Sequence, residues 1–107
     1  MIELATAADL DALEDIERQS FPKPWTRAAF EAELAREHAR IWVAREDAVV
    51  GFCVAWIVVG ELHVHSIAAH PDHRRAGIGR ALLAHALAAA THDACALATL
   101  EVRRKNL

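Results

Sequence analysis

Arg74-Arg75-Ala76-Gly77-Ile78-Gly79-Arg80 is the stretch on which the reading of this chain turns. It follows an apolar segment, Leu62 to Ala69, that reads as a strand, and it opens a segment, Ile78 to about Ala90, that reads as a helix. Glycine lets a backbone adopt φ > 0 and approach a ligand closely. The first turn of a helix leaves N–H groups without intrahelical partners, and the helix dipole adds partial positive charge there. Three arginines flank the turn. Together these features describe an anion site of the size of a pyrophosphate. The stretch is not a Walker loop, which needs Gly-Lys-Ser/Thr, and it lacks the third glycine of the dinucleotide fingerprint. A glycine-bearing helix entry with solvated arginines is the plainer alternative.

Outward from this loop the chain reads as strand, two helices, three strands, helix, strand. Ile2 to Ala5 alternates apolar and polar residues, as a short strand does. Leu10, Leu13 and Ile16 fall at helical spacing, which predicts a helix from Ala7 to about Gln19, with Thr6 and Asp9 as a weak capping box. Pro22 and Pro24 force an extended loop from Phe21 to Trp25. Thr26 caps a second helix, carrying Phe30 and Leu34 inward and ending near Glu37 or His38. Ile41 to Ala44 and Val49 to Val59 read as strands. The second is almost wholly apolar, so both of its faces are expected to be covered. Gly60-Glu61 is the expected turn, and His70 to Ala76 a polar loop. The helix from Ile78 places Ile78, Leu82, Leu83, Ala86 and Ala90 on one stripe. Cys95 to Val102 is the last strand.

The 107 residues make one domain, 1–107. With 54% hydrophobic and 25% charged residues, the composition excludes intrinsic disorder. A net charge of -3 argues against a general nucleic-acid binder. Cys53 and Cys95 lie in apolar runs and read as free thiols of a reducing compartment. No run approaches the ~20 apolar residues of a membrane helix, and no secretory leader is visible. The expectation is a soluble cytoplasmic protein without membrane or direct nucleic-acid partners.

Arg74-x-x-Gly77-x-Gly79 resembles the R/Q-x-x-G-x-G/A motif of the GCN5-related N-acetyltransferase (GNAT) superfamily. Phe21-Pro-Lys-Pro-Trp25 resembles the F-P-x-P-W loop of its ribosomal-protein alanine N-acetyltransferase (RimI-type) branch. Ser66-Ile-Ala-Ala-His-Pro-Asp-His73 is similar to that branch's N-I-A-V-x-P-x-x segment, with Ser66 in place of Asn. Leu100-Glu-Val-Arg103 with Asn106 is similar to its L-E-V-R-x-S-N block, with Lys105 in place of Ser. The resemblance implies an α+β (GNAT-type) fold of three layers: a mixed, mainly antiparallel sheet with helices on both faces.

The same resemblance implies acetyl-CoA as co-substrate and a protein or peptide N-terminus as acceptor. A small-molecule amine, or a non-catalytic acyl-CoA-binding or assembly role, is the alternative. By resemblance, backbone groups of Ile67, Ala68 and Ala69 meet the pantetheine arm. The N–H groups of Arg75, Ala76, Gly77, Ile78, Gly79 and Arg80 hold the pyrophosphate, and Asn106 is a further contact. Phe21, Lys23 and Trp25 wall the acceptor cleft, although large aromatics there also suit a core. Glu101 falls on the family's general-base position; a salt bridge to Arg103 or Arg104 is its plain alternative. His65 is the second candidate for proton transfer. The family's acid is a tyrosine beyond the L-E-V-R strand. This chain carries no tyrosine. It is expected to lack the family's following helix and last strands, and to associate with a second copy through its last strand edge. His63, His65, His70 and His73 cluster in sequence, but no third ligand stands at a metal-site spacing, so no metal is expected.

Overall fold

The structure is a computed structural model; it describes residues 1–74, 76–92 and 97–100, the last four as backbone. The strands are β1 (Ile2–Leu4), β2 (Ala39–Arg45), β3 (Val49–Val58), β4 (Glu61–Ala69) and β5 (Leu97–Leu100). The helices are α1 (Leu10–Ser20), α2 (Arg27–Ala35) and α3 (Ile78–His92). The five strands lie side by side in chain order, with the first three pairings antiparallel and β4–β5 parallel. The expected strand Cys95–Val102 is described only over Leu97–Leu100.

The apolar run in β3 builds two cores at once. Phe52 and Val54 join Ile41 and Val43 of β2 beneath Leu13 and Ile16 of α1 and Phe30 of α2. Cys53 and Ala55 join Trp42 and Ala44 beneath Leu82, Ala86 and Ala90 of α3. Every residue from Val49 to Ala55 is buried, as a strand covered on both sides requires. The result is the expected three-layer arrangement.

Element ends differ from the sequence reading in instructive ways. The first helix begins as a 3-10 turn, Ala7–Asp9, and becomes α-helical at Leu10. The Asp9 N–H donates to the Thr6 carbonyl at 2.9 Å, the i→i+3 bond of a tightened turn. The Asp9 carboxylate accepts from the Thr6 N–H and from Arg45. Arg45 also donates to Glu3, and these two carboxylates raise its pKa further. Thr26 caps α2 as expected, its hydroxyl accepting from the Ala29 N–H at 3.2 Å. That helix stops at Ala35, because Arg36 turns extended and lays its guanidinium over the Trp56 ring. Pro71 starts a 3-10 turn, Pro71–His73, inside the expected loop. The β3–β4 turn centres on Val59 and Gly60, with φ of 50° and 75°, so Glu61 belongs to β4.

One irregularity positions the site. Val54 pairs with Ser66 and Ala55 with Val64, leaving His65 as an extra residue on β4. This β-bulge flips the strand's facing. Leu62 and Val64 point into the α3-side core, while two steps past Ser66 it is Ala68 that lies in the α1/α2-side core.

Candidate functional site

The anion loop is built as its sequence demands. Gly77 has φ +80°, and a Cβ placed there would meet nothing within 4 Å, so the glycine serves backbone conformation and leaves open space beside it. The Ala81 N–H donates to the Gly77 carbonyl at 2.9 Å, the first bond of α3. The N–H groups of Ile78, Gly79 and Arg80 therefore precede the helix's own acceptors. A Cβ on Gly79 would lie 3.6 Å from Ile67 Cγ2, so the first turn of α3 stands against β4. Ala76, Gly77 and Arg80 are exposed; Ile67, Ala69, Ile78 and Gly79 are half-buried, and Ala68 is buried. An open glycine turn, N–H groups ahead of the helix's own acceptors and the end of β4 beside them suit a phosphate ester with an extended arm. Arg75, Glu101 and Asn106 lie outside the described residues.

Arg74 is fixed by the protein itself. Its Nε donates to the Ala69 carbonyl at 3.3 Å, and its Nη2 to the Ser20 hydroxyl at 3.1 Å. Ser20 ends α1 and is buried. One turn earlier, buried Glu17 accepts the Trp25 N–H at 2.9 Å through Oε2. The Phe21 N–H donates to the Glu17 carbonyl. The Phe21–Trp25 loop is thus pinned at both ends to the last turn of α1. Phe21 itself lies in the core, and the half-buried Trp25 packs on Phe30 with ring centroids 5.4 Å apart. Lys23 is exposed.

On the same face of the sheet, the bulge residue His65 sits edge-on to Trp56, centroids 4.5 Å apart. Its Nε2 is buried and has no hydrogen-bond partner among the described residues. His63 stacks at 6.5 Å and donates to the Glu61 carboxylate at 3.0 Å. His38 also packs edge-on to Trp56, whose Nε1–H donates to Glu33 at 2.9 Å. Sequence reasoning missed Glu17, Ser20, Glu33, His38 and Trp56. The signal for Glu17 was its position: it follows Leu13 by four residues and so falls on the buried stripe of α1.

Other groups are set aside by their surroundings. Burial pushes the Cys53 thiol up to about 12, so it is no nucleophile at neutral pH. Among the described residues, no three or more His, Cys, Asp or Glu side chains are grouped to hold a metal ion. No helix among them is long and apolar enough to cross a membrane. An open depression of about 430 Å³ is lined by Ile2, Val50, Ile78 and His85 among others; none of its described lining residues belongs to β4 or to the turn before α3.

Residues 10–107 match the acetyltransferase (GNAT) family, and the chain belongs to it. The [ribosomal protein bS18]-alanine N-acetyltransferase of Escherichia coli (strain K12) is 30% identical over 98 residues, covering 92% of this chain and 66% of that protein. The protein of the same name from Salmonella typhimurium (strain LT2) is 28% identical over 105 residues, covering 98% and 71%. Among solved structures, the ribosomal-protein-S18-alanine N-acetyltransferase from Escherichia coli superimposes with a TM-score of 0.82 at 27% identity, over 91% of this chain and 63% of that one. The chain thus spans about two thirds of the length of the Escherichia coli relative.

Proposed function

We propose that this protein is an acetyl-CoA-dependent N-acetyltransferase whose acceptor is the α-amine of a protein N-terminus. The observation that carries the reading is Gly77 in its left-handed turn at the head of α3, with Gly79 set against Ile67 of β4. Family membership and the names of the relatives support it. In this reading the N–H groups of Arg75 to Arg80 hold the pyrophosphate, and backbone groups of Ile67, Ala68 and Ala69 guide the pantetheine arm. Asn106 adds a contact. The acetyl end then points back along β4 toward the bulge at His65. Phe21 and Trp25 support the acceptor side, and Lys23 faces outward from their loop.

The chemistry asks for a neutral amine. Its nitrogen attacks the thioester carbonyl carbon, a C–N bond forms, and the C–S bond breaks. The nitrogen gives up a proton, and the departing thiolate takes one. Glu101 is the assigned proton acceptor, by its place in Leu100-Glu-Val-Arg103. His65 is the second candidate, supported by a buried Nε2 without a described partner beside the bulge.

Calorimetric titration with acetyl-CoA tests the first half of the reading. Saturable binding in the parent, lost in Gly77→Glu while the fold persists, supports it; equal binding by both overturns the loop assignment. Mass spectrometry of a panel of N-terminal peptides, beside small amines, tests the second half. Addition of one acetyl group at the peptide α-amine is the expected result, and acetylation confined to small amines overturns it.

A further inference from the structure

We propose that Arg74 is a positioning residue that couples the cofactor loop to the acceptor-side loop, a deepening that rests on the functional reading above. The last turn of α1 holds both loops. Glu17 and Ser20 are three residues apart, so they share one helix face. From that face Glu17 takes the Trp25 N–H, and Ser20 takes an N–H from Arg74. Arg74 is 54 residues away from Ser20 in sequence and immediately precedes the glycine turn. Its remaining described bond goes to the Ala69 carbonyl, at the end of the strand that meets the pantetheine arm. The guanidinium is planar and its donors form a fixed fork. Holding Ser20 with Nη2 and Ala69 with Nε therefore fixes the angle at which the chain leaves β4 and enters the turn.

Arg74 acts through these partners; it does not serve as a phosphate ligand. A pyrophosphate bound at the Gly77 turn adds to the hold that Ser20 and Ala69 already have on Arg74. That favours the Ser20 bond, stiffens the last turn of α1, and secures Glu17 on the Trp25 amide. Such a link is reciprocal: whatever seats the Phe21–Trp25 loop raises affinity for the cofactor by the same factor. The amide of Trp25 reports directly, because its exchange with solvent requires release from the Glu17 carboxylate.

The experiment follows amide exchange at Trp25 in the parent, Ser20→Ala and Arg74→Met, each with and without saturating CoA. CoA is expected to slow exchange at Trp25 about 5-fold or more in the parent, and to leave it unchanged in both variants. The two variants should also lose CoA affinity to the same extent, with the double variant no weaker than either. Bound CoA without protection of Trp25 in the parent overturns the proposal, as does full protection in Ser20→Ala. A loss of CoA affinity in Arg74→Met that Ser20→Ala does not share also overturns it, by making Arg74 a direct ligand. A parent that binds no CoA defeats the functional reading itself, and the coupling with it.

Discussion

Ile78, the first residue of α3, rests on Gly51 of β3 with no space between them. A Cβ built on Gly51 would stand 2.6 Å from Ile78 Cγ2 and 2.9 Å from the Ala68 carbonyl oxygen. The hydrogen on that glycine thus sets how low the head of α3 sits over the sheet, and with it the height of the anion turn. Gly51→Ala is expected to lower stability by about 1–3 kcal/mol through overpacking, and to weaken CoA binding as well. Gly79→Ala, whose new methyl meets Ile67 at an ordinary 3.6 Å, is expected to be neutral or to stabilise by up to about 1 kcal/mol. Urea denaturation of the two variants checks the contrast; equal stabilities would refute it.

The β3–β4 turn carries a removable strain. Val59 has φ 50° and is 94% exposed, so a β-branched residue occupies a left-handed position without any packing in return. Two-residue turns of this kind favour Asn-Gly. Val59→Asn is expected to stabilise by about 1 kcal/mol, a rise in Tm of about 4–8 °C for a chain of this size. Thermal unfolding by circular dichroism measures it, and an unchanged or lower Tm counts against the strain.

Cys53 links stability to alkaline pH. Burial lifts its thiol from an ordinary value near 9.0 to about 12. The folded state therefore keeps a proton that the unfolded state releases above about pH 9. This contribution is whole below pH 9 and is lost as pH rises from 9 toward 12. Between pH 8 and pH 11 the denaturation midpoint of the parent should fall further than that of Cys53→Ala. In the folded parent at pH 8, site-resolved mass spectrometry should find Cys53 unalkylated by iodoacetamide. Rapid labelling would show the thiol to be accessible.

Glu101 and His65 divide the proton question between them. Glu101→Gln keeps shape and removes basicity, with an expected loss of about 10²–10⁴ in kcat at neutral pH. His65→Gln, by contrast, is expected to reduce kcat less and to leave the affinity for CoA intact. Steady-state kinetics against an N-terminal peptide decides. Full turnover in Glu101→Gln with collapse in His65→Gln would reverse the assignment.

The order of elements was legible because each carried a local cause. The unbroken apolar run into Ala55 announced a doubly covered strand, Pro22 and Pro24 broke the helices apart, and Thr26 named its own helix start. The Gly77 turn was legible for the same reason, since only its backbone conformation matters. The Arg74–Ser20 bond was not, because it joins residues far apart in the chain and depends on how α1 lies against the end of β4. Glu17 was not singled out, although its spacing behind Leu13 places it inward, where it is buried. The contact of Trp56 with His65 was hidden by the bulge, for neither glycine nor proline marks Val64 to Ser66.

That extra residue gives β4 an arithmetic of its own. Burial along the strand still alternates regularly from Glu61 to Ala69, so exposure alone conceals the change of side. A single-codon deletion at His65 would restore an uninterrupted count of two. It would leave Val64 and Ser66 consecutive, as their partners Ala55 and Val54 already are, so Ile67 would stay toward α3 and Ala68 toward α1. Two-codon changes at the Val59–Gly60 turn would preserve every facing. What the extra residue adds to β4 is therefore neither length nor facing but its own ring, set edge-on to Trp56.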